Sequence, residues 1–299
     1  MAVNQSVQGH YAARRAAGQA MAVPLPPEGR TSLTVILPCY NEAERLPGTL
    51  QGLLTHLSRV PGEVEVLVVD DGSTDATVAV VEAIAAVDGR VRLLGLSPNR
   101  GKGSAVRAGM LAARGDLVIF TDADGSYGPR EVERVVGALA KAPVAIGARA
   151  ATSGPLTRRV ASRTFNLAVR GLLGLPFGDT QSGLKGFRRA AAREIFGRAR
   201  LDGFAFDVEA LLLANRLGLA VVEVGVQAVE RQGSKVRMVA DARRMLGEVW
   251  TVRRALANGA YAELQQPATG DPQPAPEFNT PSLVALTIQP AAPFILPSA

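Results

Sequence analysis

The chain has 299 residues, 47% of them hydrophobic and 20% charged, with a formal net charge of +6. That supplies a packed core for one large domain or two small ones, and the single cysteine, Cys39, excludes an internal disulfide and fits a reducing compartment. No apolar run reaches the ~18 residues that span a bilayer, and the N-terminus lacks the charged-then-apolar layout of a signal peptide, so a cytoplasmic protein that does not cross a membrane is expected.

Residues 1–30, rich in Ala, Gln and Pro without a steady period, predict a disordered arm. From there, strands and helices alternate. LTVILPCY (33–40) reads as a buried strand and EAERLPGTLQGLLTHL (42–57) as a helix. VEVLVVD (64–70) is a second strand, and Ser73, Thr74 and Asp75 are good caps for the helix after it. VRLLGL (91–96), DLVIFT (116–121) and PVAIGAR (143–149) read as further strands, separated by helical KGSAVRAGMLAA (102–113) and EVERVVGALAKA. Units of roughly thirty residues predict an α/β fold: a mostly parallel central sheet with helices on both faces.

The second half reads differently. Residues 156–175 predict a basic amphipathic helix, PFGDTQSGLKGF (176–187) a loop, and 190–197 and 207–218 helices. LAVVEVGVQAV (219–229) predicts a strand, and 239–259 a closing C-terminal amphipathic helix that sets Met245, Leu246, Val249 and Trp250 among arginines. Residues 31–259 are thus expected to form one domain, followed by a disordered Pro-rich tail, 260–299. Residues 149–198 hold ten Lys and Arg against two acidic residues, and 231–254 hold seven against two. So uneven a charge predicts an anionic partner: a nucleic acid, a phosphorylated substrate or a membrane surface. The basic stretches lack the interleaved aromatics that stack on bases, which disfavours nucleic acid.

In parallel sheets ligands collect beyond the carboxyl ends of the strands, which directs attention to residues 38–42, 70–75, 97–103 and 122–126. Asp122 and Asp124 stand one residue apart after an apolar strand, LVIF (117–120). If the extended geometry persists, both carboxylates point to one side. Two ionised carboxylates that close repel unless a cation joins them, and all-oxygen ligation suits Mg²⁺ or Mn²⁺, which also take phosphate oxygens. The alternative is a helix N-terminus decorated with Asp. Asp70 and Asp71 end the second strand and suit a nucleobase or ribose, or simple capping. In PNRGKGS (98–104), glycines flank Lys102 and would let an anion approach the backbone beside a cation, although no P-loop spacing is present.

PCYNEAERL, VVDDGSTDAT, NRGKGSAVRAG and TDADG, in this order, resemble the family 2 glycosyltransferases with the GT-A fold. IGARA (146–150), GDTQSGLKGFRR (178–189), FAFDVEALLLA (204–214) and VERQGSKVRM (229–238) narrow the resemblance to the dolichyl-phosphate β-glucosyltransferases and mannose synthases. The resemblance spans about residues 33–257. It implies that Pro38, Tyr40, Glu42 and Asp71 line the nucleotide pocket. Asp122 and Asp124 would bind metal and sugar-diphosphate, with Ala123 and Lys102 in the same site. Arg149, Arg158 and Ser162 would face a lipid phosphate. Asp179 and Gln181 would lie near sugar and acceptor, while Arg231 and Lys235 close over the diphosphate. Two positions depart from the family: Ser126 stands where mannose synthases have Gln, and Val229-Glu230-Arg231 replaces a Trp-Glu-Ile type run of the glucosyl branch.

The implied reaction moves a hexose, with inversion, from UDP-glucose or GDP-mannose to a polyprenyl monophosphate. A phosphate monoester is mostly dianionic at neutral pH and needs no general base, which fits the poor placement of His10 and His56. The basic helices would dock on the cytoplasmic face of a membrane, directly or through a membrane-embedded partner protein. Three alternatives stay open: a sugar, protein or small-molecule acceptor with Asp179, Asp207 or Glu209 as base; a nucleotidyltransferase; and a nucleic-acid-binding protein.

Overall fold

The computed structural model describes residues 32–58, 62–149, 169, 171–229, 247, 249–256, 258, 259 and 261. The predicted arm, nearly all of the predicted tail, most of the basic stretch 156–175 and residues 230–246 lie outside them, and with them Arg158, Ser162, Arg231 and Lys235.

Strands and helices alternate through the first half: β1 (Leu33–Cys39), α1 (Leu46–Leu57), β2 (Val64–Asp70), α2 (Thr77–Val87), β3 (Val91–Gly95), α3 (Lys102–Ala112), β4 (Leu117–Thr121), α4 (Pro129–Ala138) and β5 (Val144–Arg149). The second half adds β6 (Leu184–Arg188), α5 (Arg189–Phe196), α6 (Phe206–Arg216) and β7 (Val221–Val226). The sheet runs β3-β2-β1-β4-β6-β5-β7, parallel except for β6, which is antiparallel to both neighbours.

The apolar runs form central strands because both faces are covered. Alternate residues point to opposite sides of a strand. Leu33, Val35 and Leu37 of β1 pack with Val66, Val68, Ile119 and the leucines of α1. Ile36, Leu67, Val69, Val118 and Phe120 face the other way, onto α3, α5 and α6. Buried on α1 are Leu46, Leu50, Leu53, Leu54 and Leu57, each worth about 1.5–3 kcal/mol against exposure. That helix starts at Leu46 rather than at residue 42, because Pro47 has no N–H to donate and fits only a first turn.

One predicted loop contains a strand. Starting inside 176–187, residues 184–188 form β6, inserted between β4 and β5. A lysine at its second position and glycines at 183 and 186 disguised it. Lys185 is fully buried, with Nζ 2.6 Å from Asp207 Oδ1 and from the Ser182 carbonyl. At Gly186, a Cβ would stand 2.5 Å from Ile119 Cδ1 and 2.8 Å from Val135 Cγ1, so the sheet-to-α4 packing excludes a side chain there. Because β6 runs backwards, its first residues lie at the carboxyl end of the parallel strands.

Near the C-terminus, residues 249–256 are helical. Val249 and Val252 enter the core beside α6, whereas Trp250 is 59% exposed with the Arg253 guanidinium 5.7 Å from its ring centre. Valine and tryptophan of the predicted apolar stripe therefore part company: one packs, the other faces outward.

Candidate active site

The carboxyl ends of β1, β2, β4 and β5 and the first residues of β6 converge on one edge of the sheet. The loops after β1 and β2 are tied together there. Asn41, at φ 56°, presents Oδ1 to the Thr74 amide at 2.8 Å, and its own amide donates to Ser73 Oγ at 2.8 Å. None of the three expected caps holds the N-cap place of α2, which falls to Ala76; Asp75, one residue earlier, accepts from the Thr77 amide at 2.9 Å. Tyr40 is 42% exposed beside this junction, Pro38 lies buried within β1, and Glu42 pairs with Arg45.

Asp71, expected in the nucleotide pocket, follows β2 directly and is engaged by the loop before α3. Its carboxylate accepts from the amides of Arg100 at 3.1 Å and Gly101 at 2.7 Å, and the residue is buried. Burial raises its pKa, partly offset by those two amides. The glycine-rich loop 98–104 is not a bare anion cradle. The Gly103 and Ser104 amides donate to the Asp202 carbonyl at 2.8 and 3.3 Å. A Cβ at Gly101 or Gly103 would stand 2.5–2.6 Å from the carbonyls of Asp202 or Leu201. The glycines admit the 201–203 backbone, and that contact aims Lys102 inward.

The acidic pair follows β4 directly. Lys102 Nζ lies 2.5 Å from Asp122 Oδ1, over the Phe206 ring. Burial would lower the Lys102 pKa, but the Asp122 and Asp207 charges hold it above the ordinary lysine range. Asp124 closes a turn, its Oδ1 accepting from the Ser126 amide at 2.9 Å. The Ala123 side chain is buried and its carbonyl accepts from Thr49 Oγ1 at 2.9 Å, which anchors the pair to α1. Among the described residues no third His, Cys, Asp or Glu joins the pair in a metal-sized cluster. Two carboxylates without a cage fit a hard cation such as Mg²⁺ or Mn²⁺ that draws its remaining ligands from phosphate oxygens and water.

Opposite stands a second ion pair. Arg149, the last residue of β5, donates from Nε to Asp179 Oδ2 at 2.8 Å and from a terminal nitrogen to Oδ1 at 3.1 Å. Burial pushes the Asp179 carboxyl up, but the Arg149 hydrogen bonds and charge outweigh it and hold it below the usual carboxylate range. Its folded pKa is therefore depressed, so the pair stabilises fully above the ordinary aspartate value of about 4 and loses that contribution as pH falls through the lower folded value. Melting temperatures between pH 7 and 2.5 should fall less steeply on the acid side for Asp179→Asn than for the parent; equal slopes would contradict this.

Around these pairs the loops interlock. The Gln181 amide donates to Asp179 Oδ1 at 3.2 Å, the Gly178 amide to Glu223 Oε1 at 2.5 Å, and the Tyr127 and Ser182 hydroxyls are 3.2 Å apart. Tyr127 also bridges Ala228, and the Val229 amide donates to the Ser126 carbonyl at 2.8 Å. The chain therefore enters its 230–238 segment from beside the acidic pair.

The structure thus gathers Lys102, Asp122, Ala123, Asp124, Arg149, Asp179 and Gln181 at one edge. It adds Gly183 and Lys185, which sequence reasoning did not place there and whose only trace was a lysine between glycines in an apolar stretch, and it ties Asp207, weighed as a base, to that lysine. Glu209, weighed as a base, is fully buried and receives the amides of Arg200 and Leu201 at 2.9 Å and the Tyr261 hydroxyl at 2.6 Å. Glu209→Gln should cost about 2 kcal/mol of stability, since hydrogen bonds to a charged group are the stronger ones, and chemical denaturation would measure it.

Comparison with known proteins agrees with this geometry. The chain is 39% identical over 224 residues to a dolichyl-phosphate beta-glucosyltransferase of Drosophila melanogaster, covering 68% of this chain and 69% of that one. It is 35% identical over 209 residues to the polyprenol monophosphomannose synthase of Mycolicibacterium smegmatis, covering 66% and 77%. The GT-A fold recurs in glucosyl-3-phosphoglycerate synthase from Mycobacterium tuberculosis, crystallised with Mn²⁺, uridine-diphosphate and glucosyl-3-phosphoglycerate. The TM-score is 0.58 at 22% identity, over 77% of this chain and 86% of that one. The model for glycosyl transferase family 2 matches residues 34–196, from β1 through α5 and across both ion pairs, and the chain belongs to that family.

Proposed function

We propose that the protein transfers a hexose from a nucleotide-diphosphate sugar to a polyprenyl monophosphate, inverting the anomeric centre. One observation carries this. The acidic pair and the Arg149–Asp179 pair meet at one edge of the sheet, in a chain similar over two thirds of both lengths to a dolichyl-phosphate beta-glucosyltransferase. Glucose is the favoured sugar, because that relative is named for glucose and the 35%-identical one for mannose.

Asp122 and Asp124 would hold a divalent cation, which when bound would supply positive charge where the leaving nucleotide becomes negative. Lys102 adds a cation on the same side. The acceptor phosphate arrives as a nucleophile that needs no proton removed, which agrees with the state of the carboxylates proposed as bases. Glu209 is enclosed by amides, Asp207 is tied to buried Lys185, and Asp179 is tied to Arg149. Arg149 orients the incoming anion, while Asp179 keeps the guanidinium flat and fixed. Arg158, Ser162, Arg231 and Lys235 complete the two phosphate sites in this proposal. No helix among the described residues is long and apolar enough to cross a membrane. The lipid is met by peripheral docking at the cytoplasmic face, where exposed Trp250 beside Arg253 suits an interface, or through a membrane-embedded partner.

The test is a donor screen, UDP-glucose and GDP-mannose among others, against a short-chain polyprenyl phosphate with Mg²⁺ or Mn²⁺. Transfer to the lipid phosphate is expected, with UDP-glucose the best donor; transfer only to free sugars or to protein would overturn the acceptor assignment.

A further inference from the structure

Asp122 is enclosed on two sides. Lys102 Nζ touches Oδ1 at 2.5 Å. The Gly183 backbone lies so near the carboxylate that a Cβ there would stand 2.0 Å from Oδ2 and 2.8 Å from Oδ1. The lysine is not a passing surface charge. Its side chain is 25% exposed, and its ammonium stands 5.9 Å from the centre of the Phe206 ring. Gly101 and Gly103, pressed against residues 201–203, fix the turn from which it reaches inward. A monovalent cation of the protein therefore sits where a divalent cation must bind Asp122. The Asp122 side chain is 28% exposed, so water screens the site only in part, and two cations on one carboxylate repel.

We propose that Lys102 is an exchangeable counter-ion: it neutralises Asp122 in the nucleotide-free enzyme, keeps the divalent cation off, and transfers to the donor diphosphate when metal and nucleotide arrive together. This rests on the metal-dependent transfer proposed above and deepens it. Its consequence is an order of binding. The diphosphate brings the negative charge that draws Lys102 away, so metal and nucleotide promote each other's binding by one common factor. While Lys102 holds Asp122, the acidic pair offers free metal one unneutralised carboxylate, Asp124, rather than two.

The decisive measurement is binding of Mn²⁺ to the purified full chain without any sugar transfer, following free Mn²⁺ by electron paramagnetic resonance, with and without UDP or GDP. In the parent protein nucleotide-free uptake is expected to be weak and nucleotide to strengthen it strongly. Lys102→Met should bind Mn²⁺ without nucleotide at least about tenfold tighter, because one nearby unit charge is gone, and the gain from nucleotide should shrink correspondingly. Lys102→Gln is a second neutral variant, and Lys102→Arg should keep the parent pattern; melting curves establish that each is folded. Nucleotide-dependent uptake with unchanged or weaker nucleotide-free binding in both neutral variants overturns the exchange alone. Absence of Mn²⁺ uptake in the parent even with nucleotide overturns the exchange together with the metal-dependent transfer beneath it.

Discussion

Gly183→Ala should reduce kcat/KM for sugar transfer by at least about 100-fold, as expected when a reacting group is displaced by about 1 Å. The added methyl would stand 2.0 Å from Asp122 Oδ2 and 2.6 Å from its Cγ, inside any permissible contact. Neither side yields cheaply. Leu184, the next residue, pairs with Thr121, the residue before Asp122, across the β4–β6 ladder. Buried Lys185 bonds the Ser182 carbonyl on the other flank of Gly183. The carboxylate must therefore turn away, leaving Lys102 and its place beside Asp124. The strain is local, so the protein should still fold, with a melting temperature a few degrees lower. Gly128→Ala is the control: it lies just beyond the acidic loop, and a Cβ there meets nothing within 4 Å. Initial rates and thermal melts of both variants decide the matter, and Gly183→Ala within threefold of the parent would refute the contact.

The elements read most easily from the sequence are those whose chemistry is local. VILP, VLVV and LVIF are strands buried on both faces, and continuous apolar runs need no knowledge of their partners. TDAD stood out as a candidate site because two carboxylates one residue apart after such a run repel each other unless a cation joins them. What stayed hidden depends on partners far along the chain. Lys185 disqualifies residues 184–188 as a strand until Asp207, twenty-two residues later, is known to meet its charge. Glycines 101 and 103 indicate that something approaches closely, and only the fold tells that it is the 201–203 backbone. Glu209 looks like an available carboxylate in the sequence, yet the nearby Arg200 and Leu201 amides and the distant Tyr261 hydroxyl enclose it, and Asp71 accepts from the amides of Arg100 and Gly101. The fold class was thus written in local pattern, whereas the split between Glu209, enclosed in the interior, and the carboxylates of the proposed site was written in tertiary hydrogen bonds.

That split makes Asp124→Asn the sharper of the two substitutions in the acidic pair. An asparagine at 124 retains an oxygen that can accept from the Ser126 amide, as Asp124 Oδ1 does at 2.9 Å, so the turn and its link to residues 228–229 should survive. What disappears is one negative charge and one hard oxygen ligand, which Mg²⁺ and Mn²⁺ require. At 122 the same change would also deprive Lys102 of its ion pair, mixing loss of metal with displacement of a lysine. Asp124→Asn is therefore expected to lower kcat by about 10²–10³-fold, the scale of losing one preorganised electrostatic contact to a developing charge, with its melting curve superimposed on the parent's. Chelation of the parent protein with excess EDTA should produce an equally deep loss, reversed by adding Mg²⁺ or Mn²⁺, whereas the variant's residual rate should respond little to either. Both measurements bear on one physical requirement, a cation shared between this carboxylate and a departing diphosphate. Full activity in the variant, or indifference of the parent to EDTA, would remove the cation from the mechanism and leave Lys102 to carry the leaving group's charge without it.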